Sequence, residues 1–315
     1  MFASLLGDTF ETLVGKPIFN LLTFIYAILP GHNFGLAIIV FTITIRLMLW
    51  PLLKKQLHSA KAMRQLQPEI KRIKKETKGD KTKESELTMQ LYKERGINPF
   101  SSIGTAIIQL PILISLFHGI RKIIIDPTTI VTGSYVFVQN LPWMQELAKD
   151  ISKLDMTLFG FIDLTRKPIG AGGIYWPAMI IVLLSALVQY YSSKMLMVTD
   201  KEARSLRTIL KDASSGKESD QAEVNAATMR GMRFVIPVMI FVTSIGFASA
   251  LGLYWLVSGA IQYMQQRYIL GKDEEELGVT TASVSGSVVE AEVIPPAKPN
   301  PNKKSKKSRS KKKRR

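Results

Sequence analysis

Cysteine is absent from all 315 residues. There is no disulfide framework, no thiolate metal site, no cysteine nucleophile and no cysteine to carry a lipid. Histidine is scarce: His32, His58 and His118 stand apart, without ligand spacing, and read as interfacial or helix-surface residues. Acidic residues number 25 against 42 lysines and arginines, a formal charge of +17. What the chain does have is apolar sequence, 46% of the total, much of it in uninterrupted runs about 20 residues long. A soluble basic protein has no use for several such runs, so the class is polytopic membrane protein.

The first run, residues 34–53 (FGLAIIVFTITIRLMLWPLL), encloses a charge, Arg46. At about 1.5 Å per residue, Arg46 lies roughly 18 Å from Phe34 and roughly 10 Å from Leu53. An unpaired arginine in hydrocarbon costs about 3 kcal/mol on insertion scales, so such residues face a cavity, a partner or water. The plain alternative is that Arg46 snorkels to the inner headgroups. Four more spans are expected at 99–125, 174–194, 234–250 and 251–270, the last two joined by a tight turn near Ser249 to Gly252. Lipid offers the backbone no partners, so all five are expected to be helices.

Loop charge sets the orientation. Residues 54–98 hold thirteen Lys/Arg, whereas residues 126–173 hold four, Lys149, Lys153, Arg166 and Lys167. The positive-inside rule places the first loop in the cytoplasm and the second outside; the basic loop 195–233 returns to the cytoplasm. An outside N-terminus and a cytoplasmic C-terminus follow. Residues 1–33 lack a cleavage pattern, and Asp8, Glu11 and Lys16 leave them at −1, no hindrance to crossing. Their run from Ile18 to Leu29 is short for a span and suits an extracytoplasmic amphipathic helix lying in the interface. A sixth span there would reverse the side of the N-terminus.

In 54–98, Leu57, Met63, Leu66, Ile70 and Ile73 recur at helical spacing, a Gly79-Asp80 turn follows, and Leu87, Leu91 and Tyr92 give a second stripe. A cytoplasmic helical hairpin is expected, with Pro68 bending or restarting its first helix. In the outer loop, 141–154 has an amphipathic pattern and LFGFIDLTRKP, 158–168, an interfacial one. Asp155 and Asp163 are no catalytic pair, since no base, nucleophile or metal ligand accompanies them. The tail, 271–315, reads as a disordered linker ending in KKSKKSRSKKKRR. Its cations, Lys303, Lys304, Lys306, Lys307, Arg309, Lys311, Lys312, Lys313, Arg314 and Arg315, suit ribosomal RNA or anionic membrane lipids.

No acid falls in any of the five spans, so the chain offers Arg46 no intramembrane ion pair. Proton- or cation-coupled transport needs such acids, which disfavours a secondary transporter. The spans carry neutral polarity instead. Thr42 and Trp50 flank Arg46 at i−4 and i+4; Ser101, Thr105 and Gln109 make one stripe, Ser185, Gln189 and Ser192 another, and Tyr254, Ser258 and Gln262 a third. Dispersed interhelical hydrogen bonding explains a single stripe. Several stripes around an unpaired arginine favour a hydrophilic groove enclosed by the five helices and open to the cytoplasm. A wet, positive groove gives a polar segment of a passing polypeptide a resting place within the bilayer, with no covalent chemistry, cofactor or metal.

These residues resemble the YidC/Oxa membrane protein insertases. The similarity covers most of 34–270 and rests on TITIRLMLWPL, on MRQLQPEI in the basic hairpin, and on LYKERGINPF, IIQLPILISLF, LFGFIDLTRKP and ALGLYWLVSGAIQYMQQRYI in this order. The resemblance implies a five-helix core with an outer N-terminal helix and a cytoplasmic hairpin. It makes Arg46 the groove arginine, with Thr42, Gln109 and Tyr254 lining or supporting the groove. It also implies partners: nascent membrane proteins, the ribosome, the Sec translocon and the signal-recognition-particle receptor. Trp255 stands where a second tyrosine is common and Gly259 where asparagine is frequent. A large folded periplasmic domain is missing, as in the shorter bacterial form. The expected function is therefore a non-enzymatic insertase and chaperone. The alternatives are an anion channel or solute transporter with Arg46 as selectivity charge, and a ribosome receptor whose spans are only an anchor.

Overall fold

The structure is a computed structural model that describes residues 7–77, 80–97, 101–196 and 234–284, with the side chains at 64, 67, 81, 101–108, 196 and 272–284 outside that description. The expected loop beyond residue 196 and the basic tail 303–315 lie outside the described residues. The chain divides into two units, Met1–Lys272 and Asp273–Arg315. The architecture is helical: α1 (Lys16–Ile28), α2 (Phe34–Met48), α3 (Trp50–Gln65), α4 (Gln67–Glu76), α5 (Lys81–Glu94) and α6 (Ser101–Ile125) are followed by three short helices, α7 (Thr129–Thr132), α8 (Val136–Gln139) and α9 (Pro142–Lys149). Two small antiparallel hairpins come next, β1 (Thr157–Leu158) with β2 (Ile162–Asp163) and β3 (Ile169–Gly170) with β4 (Gly173–Ile174). Helices α10 (Trp176–Leu196), α11 (Phe234–Ile245) and α12 (Ser249–Val284) complete the described chain.

Among the described residues, Trp176–Met195 is the one unbroken helix both long and apolar enough to cross a bilayer. The first expected span, 34–53, is two helices: α2 stops at Met48, and α2 with α3 passes the same test only across a 63° bend. Pro51 explains the break. A proline at this position has no N–H for the helical ladder and its ring collides with the carbonyl four residues back, but it is well tolerated in a first turn. The turn expected at Ser249 to Gly252 lies earlier, at 246–248, so α11 ends at Ile245 and α12 already begins at Ser249. The reason is a cap from outside: Ser249 N–H donates to Arg166 O at 2.9 Å and Ala250 N–H to Leu164 O at 3.0 Å. Two of the orphan donors of a helix start are thus met by the outer segment.

The N-terminal helix is packed against the rest of the bundle along one face. It is helical from residue 7, passes through a π-helical turn at Glu11–Gly15, and runs to Ile28. Its polar residues are bonded to other parts of the chain. Asn20 Oδ1 accepts from the Tyr135 N–H, Thr23 Oγ1 lies 3.0 Å from Ser134 Oγ, and Glu11 pairs with Lys122 at 2.8 Å. Its apolar face, Leu22, Ile25 and Tyr26, is buried against Phe34 and Ile38 of α2, Leu116 and Ile120 of α6, and Ile130, Val138, Met144 and Leu147 of the following segment.

This core occupies one end of the bundle. It takes in the first half of α2, the second half of α6 and the first turns of α12 (Leu251, Leu253, Tyr254). The opposite halves of the same helices carry the polar residues. Below the bend, Pro68 restarts the chain as α4, and Asp80 caps α5 by accepting from Thr82 and Lys83 N–H groups, both at 3.1 Å. A bidentate Arg95–Glu69 pair at 2.9 and 3.0 Å ties the two arms together.

Candidate functional site

Arg46 sits in the last turn of α2, only 5% exposed, in the polar half of the bundle. It does not snorkel. Its Nε donates to Ser258 Oγ at 3.0 Å; its Nη2 reaches Ser258 Oγ at 2.5 Å, Gln262 Oε1 at 3.1 Å and Gln109 Oε1 at 3.4 Å. Among the described residues no carboxylate pairs with it, and none supplies an acceptor to Nη1. A guanidinium carries five N–H donors. Three neutral side chains take up those of Nε and Nη2.

The oxygens are held in place by their own partners. Gln109 Nε2 donates to Tyr254 OH at 2.5 Å, which turns Gln109 Oε1 toward the arginine. Gln262 Nε2 approaches Ser192 Oγ at 3.4 Å, and Ser192 donates to Gln266 Oε1 at 2.8 Å. Gln265 Nε2 donates to the Arg46 carbonyl at 3.4 Å. The cluster therefore links α2, α6, α10 and α12 by interhelical hydrogen bonds, and these hold Arg46 in the bundle.

The expected residues divide as follows. Gln109, Tyr254, Ser258 and Gln262 converge on Arg46 directly or through one bond. Thr42 is buried one turn above, its hydroxyl spent on Ile38 O at 2.6 Å, and Ser185 likewise bonds its own helix at Val182 O, 3.0 Å away. Trp50 is separated from Arg46 by the bend and instead lies beside Tyr268, ring centroids 6.1 Å apart. Gln189 is half-buried on α10. The side chains of Ser101 and Thr105 lie outside the described residues. Gln265 and Gln266 were missed, although they extend the stripe 254, 258, 262 by one turn of the same helix face.

The two outer carboxylates have structural partners. Asp155 Oδ2 accepts from Asn33 Nδ2 at 2.7 Å and its Oδ1 from the Thr157 N–H at 2.9 Å; Asp163 Oδ1 accepts from the Thr165 N–H at 2.9 Å. His32 stacks on Trp143, centroids 3.9 Å apart and planes within 4°. Among the described residues no group of three or more His, Asp and Glu is placed to hold a metal ion.

A buried arginine bonded by amides and a hydroxyl under an apolar cap agrees with a membrane location. The family profile described as "60Kd inner membrane protein" matches residues 24–276, four-fifths of the chain and every helix of the site. The chain belongs to this family. Its relatives include the membrane protein insertase MisCA of Bacillus subtilis, 29% identical over 267 residues, 84% of this chain and 80% of that protein. A membrane protein insertase YidC of Fusobacterium nucleatum is 29% identical over 240 residues, 76% of this chain and 87% of that one. A second such insertase, YidC 2 of Bacillus anthracis, is 28% identical over 261 residues, 82% and 79% of the two chains. The family is one of bacterial inner-membrane proteins, and the resemblance drawn from the motifs is to the same group.

Proposed function

We propose that the chain is a membrane protein insertase and chaperone in which Arg46 is the receptor for a polar segment in transit. The observation that carries this reading is the site itself: a full charge inside the bundle, held by neutral oxygens, with no carboxylate partner and one guanidinium nitrogen unclaimed among the described residues. An acidic side chain or a carbonyl of a nascent protein is the complementary ligand. A peptide group transferred to an apolar medium without partners costs about 4–8 kcal/mol on the cyclohexane scale, so an intermediate hydrogen-bonding station lowers the barrier for a short hydrophilic segment. The apolar helix that follows gains about 25 cal/mol for each Å² removed from water as it moves into lipid, which drives the step without nucleotide or covalent chemistry.

In this proposal five spans, built on α2 with the start of α3, on α6, on α10, on α11 and on the first part of α12, surround a groove that opens toward the cytoplasmic hairpin. The N-terminus is outside, and the core formed by Phe41, Leu253 and Tyr254 with their neighbours closes the outer end. A closed outer end supports an insertase over an anion channel, which requires a continuous pore. The tail 303–315 is proposed to meet ribosomal RNA or anionic lipid, and the Sec translocon and the signal-recognition-particle receptor are proposed further partners. Since the chain contains no cysteine, single cysteines or photoreactive residues report contacts cleanly. Photo-crosslinkers at Gln109 and Gln262 should capture a ribosome-stalled membrane protein whose short polar segment is half-translocated, and one at the exposed outer Val136 should not. Equal capture at all three positions would refute the site, and anion flux through proteoliposomes would favour the channel.

A further inference from the structure

The outer end of the bundle carries a second feature that the Arg46 site does not use. A cleft of about 440 Å³ opens between the end of α6, the loop after β2 and the turn joining α11 to α12. Its floor is apolar: Phe117, Ile120, Ile124, Phe247 and Leu251. Phe117 and Phe247 meet edge to face, centroids 5.1 Å apart, so the floor is a firm aromatic surface. Its rim carries two cations, Arg121 and Lys167, both exposed. Neither side chain has an ion pair or a hydrogen-bond partner among the described residues, unlike their neighbours. Lys122, beside Arg121, is paired with Glu11, and Arg166, beside Lys167, lies over the Tyr175 ring at 4.2 Å. The chain thus neutralises or stacks the adjacent cations and leaves these two facing one apolar cleft.

Apolar floor and cationic rim together define the ligand. A free phosphate would use the rim and ignore the floor; a neutral lipid would do the reverse. We propose that this cleft binds an anionic phospholipid of the outer leaflet, its phosphate between Arg121 and Lys167 and its upper acyl chain along Phe117 and Phe247. The depth fits, because the cleft lies where α6 ends at Ile125, and the segment that follows α6 carries exposed Phe159 and Phe161, of the kind found at a membrane interface. Such a lipid would fasten α6 to the loop Leu164–Arg166 that caps α12. The inference rests on the membrane location and the outer placement of residues 126–173, and not on the transfer role of Arg46.

The test uses the full chain in nanodiscs of phosphatidylcholine. Ile125, 71% exposed on the cleft rim, is changed to cysteine and labelled with bimane. Quenching is then compared for doxyl-labelled phosphatidylglycerol and doxyl-labelled phosphatidylcholine at equal mole fraction. Two unpaired cations at the surface, each contributing about 1 kcal/mol toward an anionic headgroup, predict about a thirtyfold preference for phosphatidylglycerol. The preference should vanish in Arg121→Gln/Lys167→Gln, which changes two exposed residues and leaves the basic tail intact. A second label at Val136→Cys, on the outer segment but away from the cleft, should show no preference. Equal quenching by the two lipids at position 125, a preference that survives the double substitution, or the same preference at position 136 would each overturn the proposal. Insertion activity, read separately, distinguishes loss of this site from loss of the Arg46 function.

Discussion

Arg46 is stabilised without being neutralised, and that distinction separates its effect on stability from its effect on function. Ser258 accepts from both Nε and Nη2, so Ser258→Ala leaves buried donors unmet at a cost of about 1–3 kcal/mol. Thermal unfolding in detergent should show a lower Tm for this variant, with a smaller loss for Gln262→Leu, whose bond to the arginine is 3.1 Å long and whose contact with Ser192 is 3.4 Å. Gln262→Glu tests the point in the other direction. It supplies the carboxylate that the bundle lacks, so it is expected to raise the Tm while slowing insertion, because the arginine then has a resident partner. A variant that loses both stability and insertion would contradict the receptor role. At this scale the sequence is partly informative: the missing acids and the polar stripes suggest a hydrated groove around Arg46, whereas three of the stripe residues bond the arginine across helices. Which stripe residues would touch it was not legible, because Thr42 and Ser185 are consumed by carbonyls of their own helices, a choice that periodicity does not reveal.

Between elements, contacts depend on small residues and on caps. Gly35, in the first turn of α2, faces the β1 strand so closely that an added Cβ would lie 2.8 Å from Leu158 Cα. Backbone cannot swing aside as a side chain can, so Gly35→Ala should destabilise the protein by about 1–3 kcal/mol, measured as a lower unfolding midpoint. The same contact explains why the outer hairpin is rigidly placed: Phe34 N–H donates to Asp155 O at 3.1 Å beside it. Local signals announced some of these elements. Pro68 restarts a helix and Asp80 caps one, as their residue types require. Other elements were hidden. The break at Leu49 lay inside an apolar run whose length suggested one span, although Pro51 was the available clue. The start of α12 at Ser249 depends on carbonyls of Leu164 and Arg166, about 80 residues away in sequence, and no local pattern encodes that pairing. The two hairpins have strands of two residues each, too short for alternation to register.

At the scale of the molecule, burial is divided by chemistry. One half holds the apolar core, into which the N-terminal helix is packed, and the other half holds a hydrogen-bonded polar cluster linking four helices. Such a division makes the apolar half a platform and the polar half the place where exchange of partners costs least, since its bonds are to neutral groups. Helical class and membrane character were legible from run length and from missing acids. The partners of Asn20 and Thr23 in the N-terminal helix were not legible, because Tyr135 and Ser134, which supply them, lie more than a hundred residues away in sequence. Removing residues 303–315 should weaken ribosome binding with a strong salt dependence, since up to ten cations are lost, while leaving insertion of a fully synthesised substrate near the native rate. Sedimentation with ribosomes across a salt series checks the first part, and post-translational insertion into proteoliposomes the second.

The central claim is that Arg46 acts as a charge offered to cargo, and the most direct measurement is an insertion-rate series in proteoliposomes. Native protein, Arg46→Lys, Arg46→Ala and Arg46→Glu are compared on one short-tailed substrate carrying either an acidic or a neutral polar tail. The predicted order is native, then lysine, which keeps the charge but loses the planar fork of donors, then alanine, then glutamate, with wider spacing for the acidic tail. Equal rates for all four proteins on both tails would contradict the account.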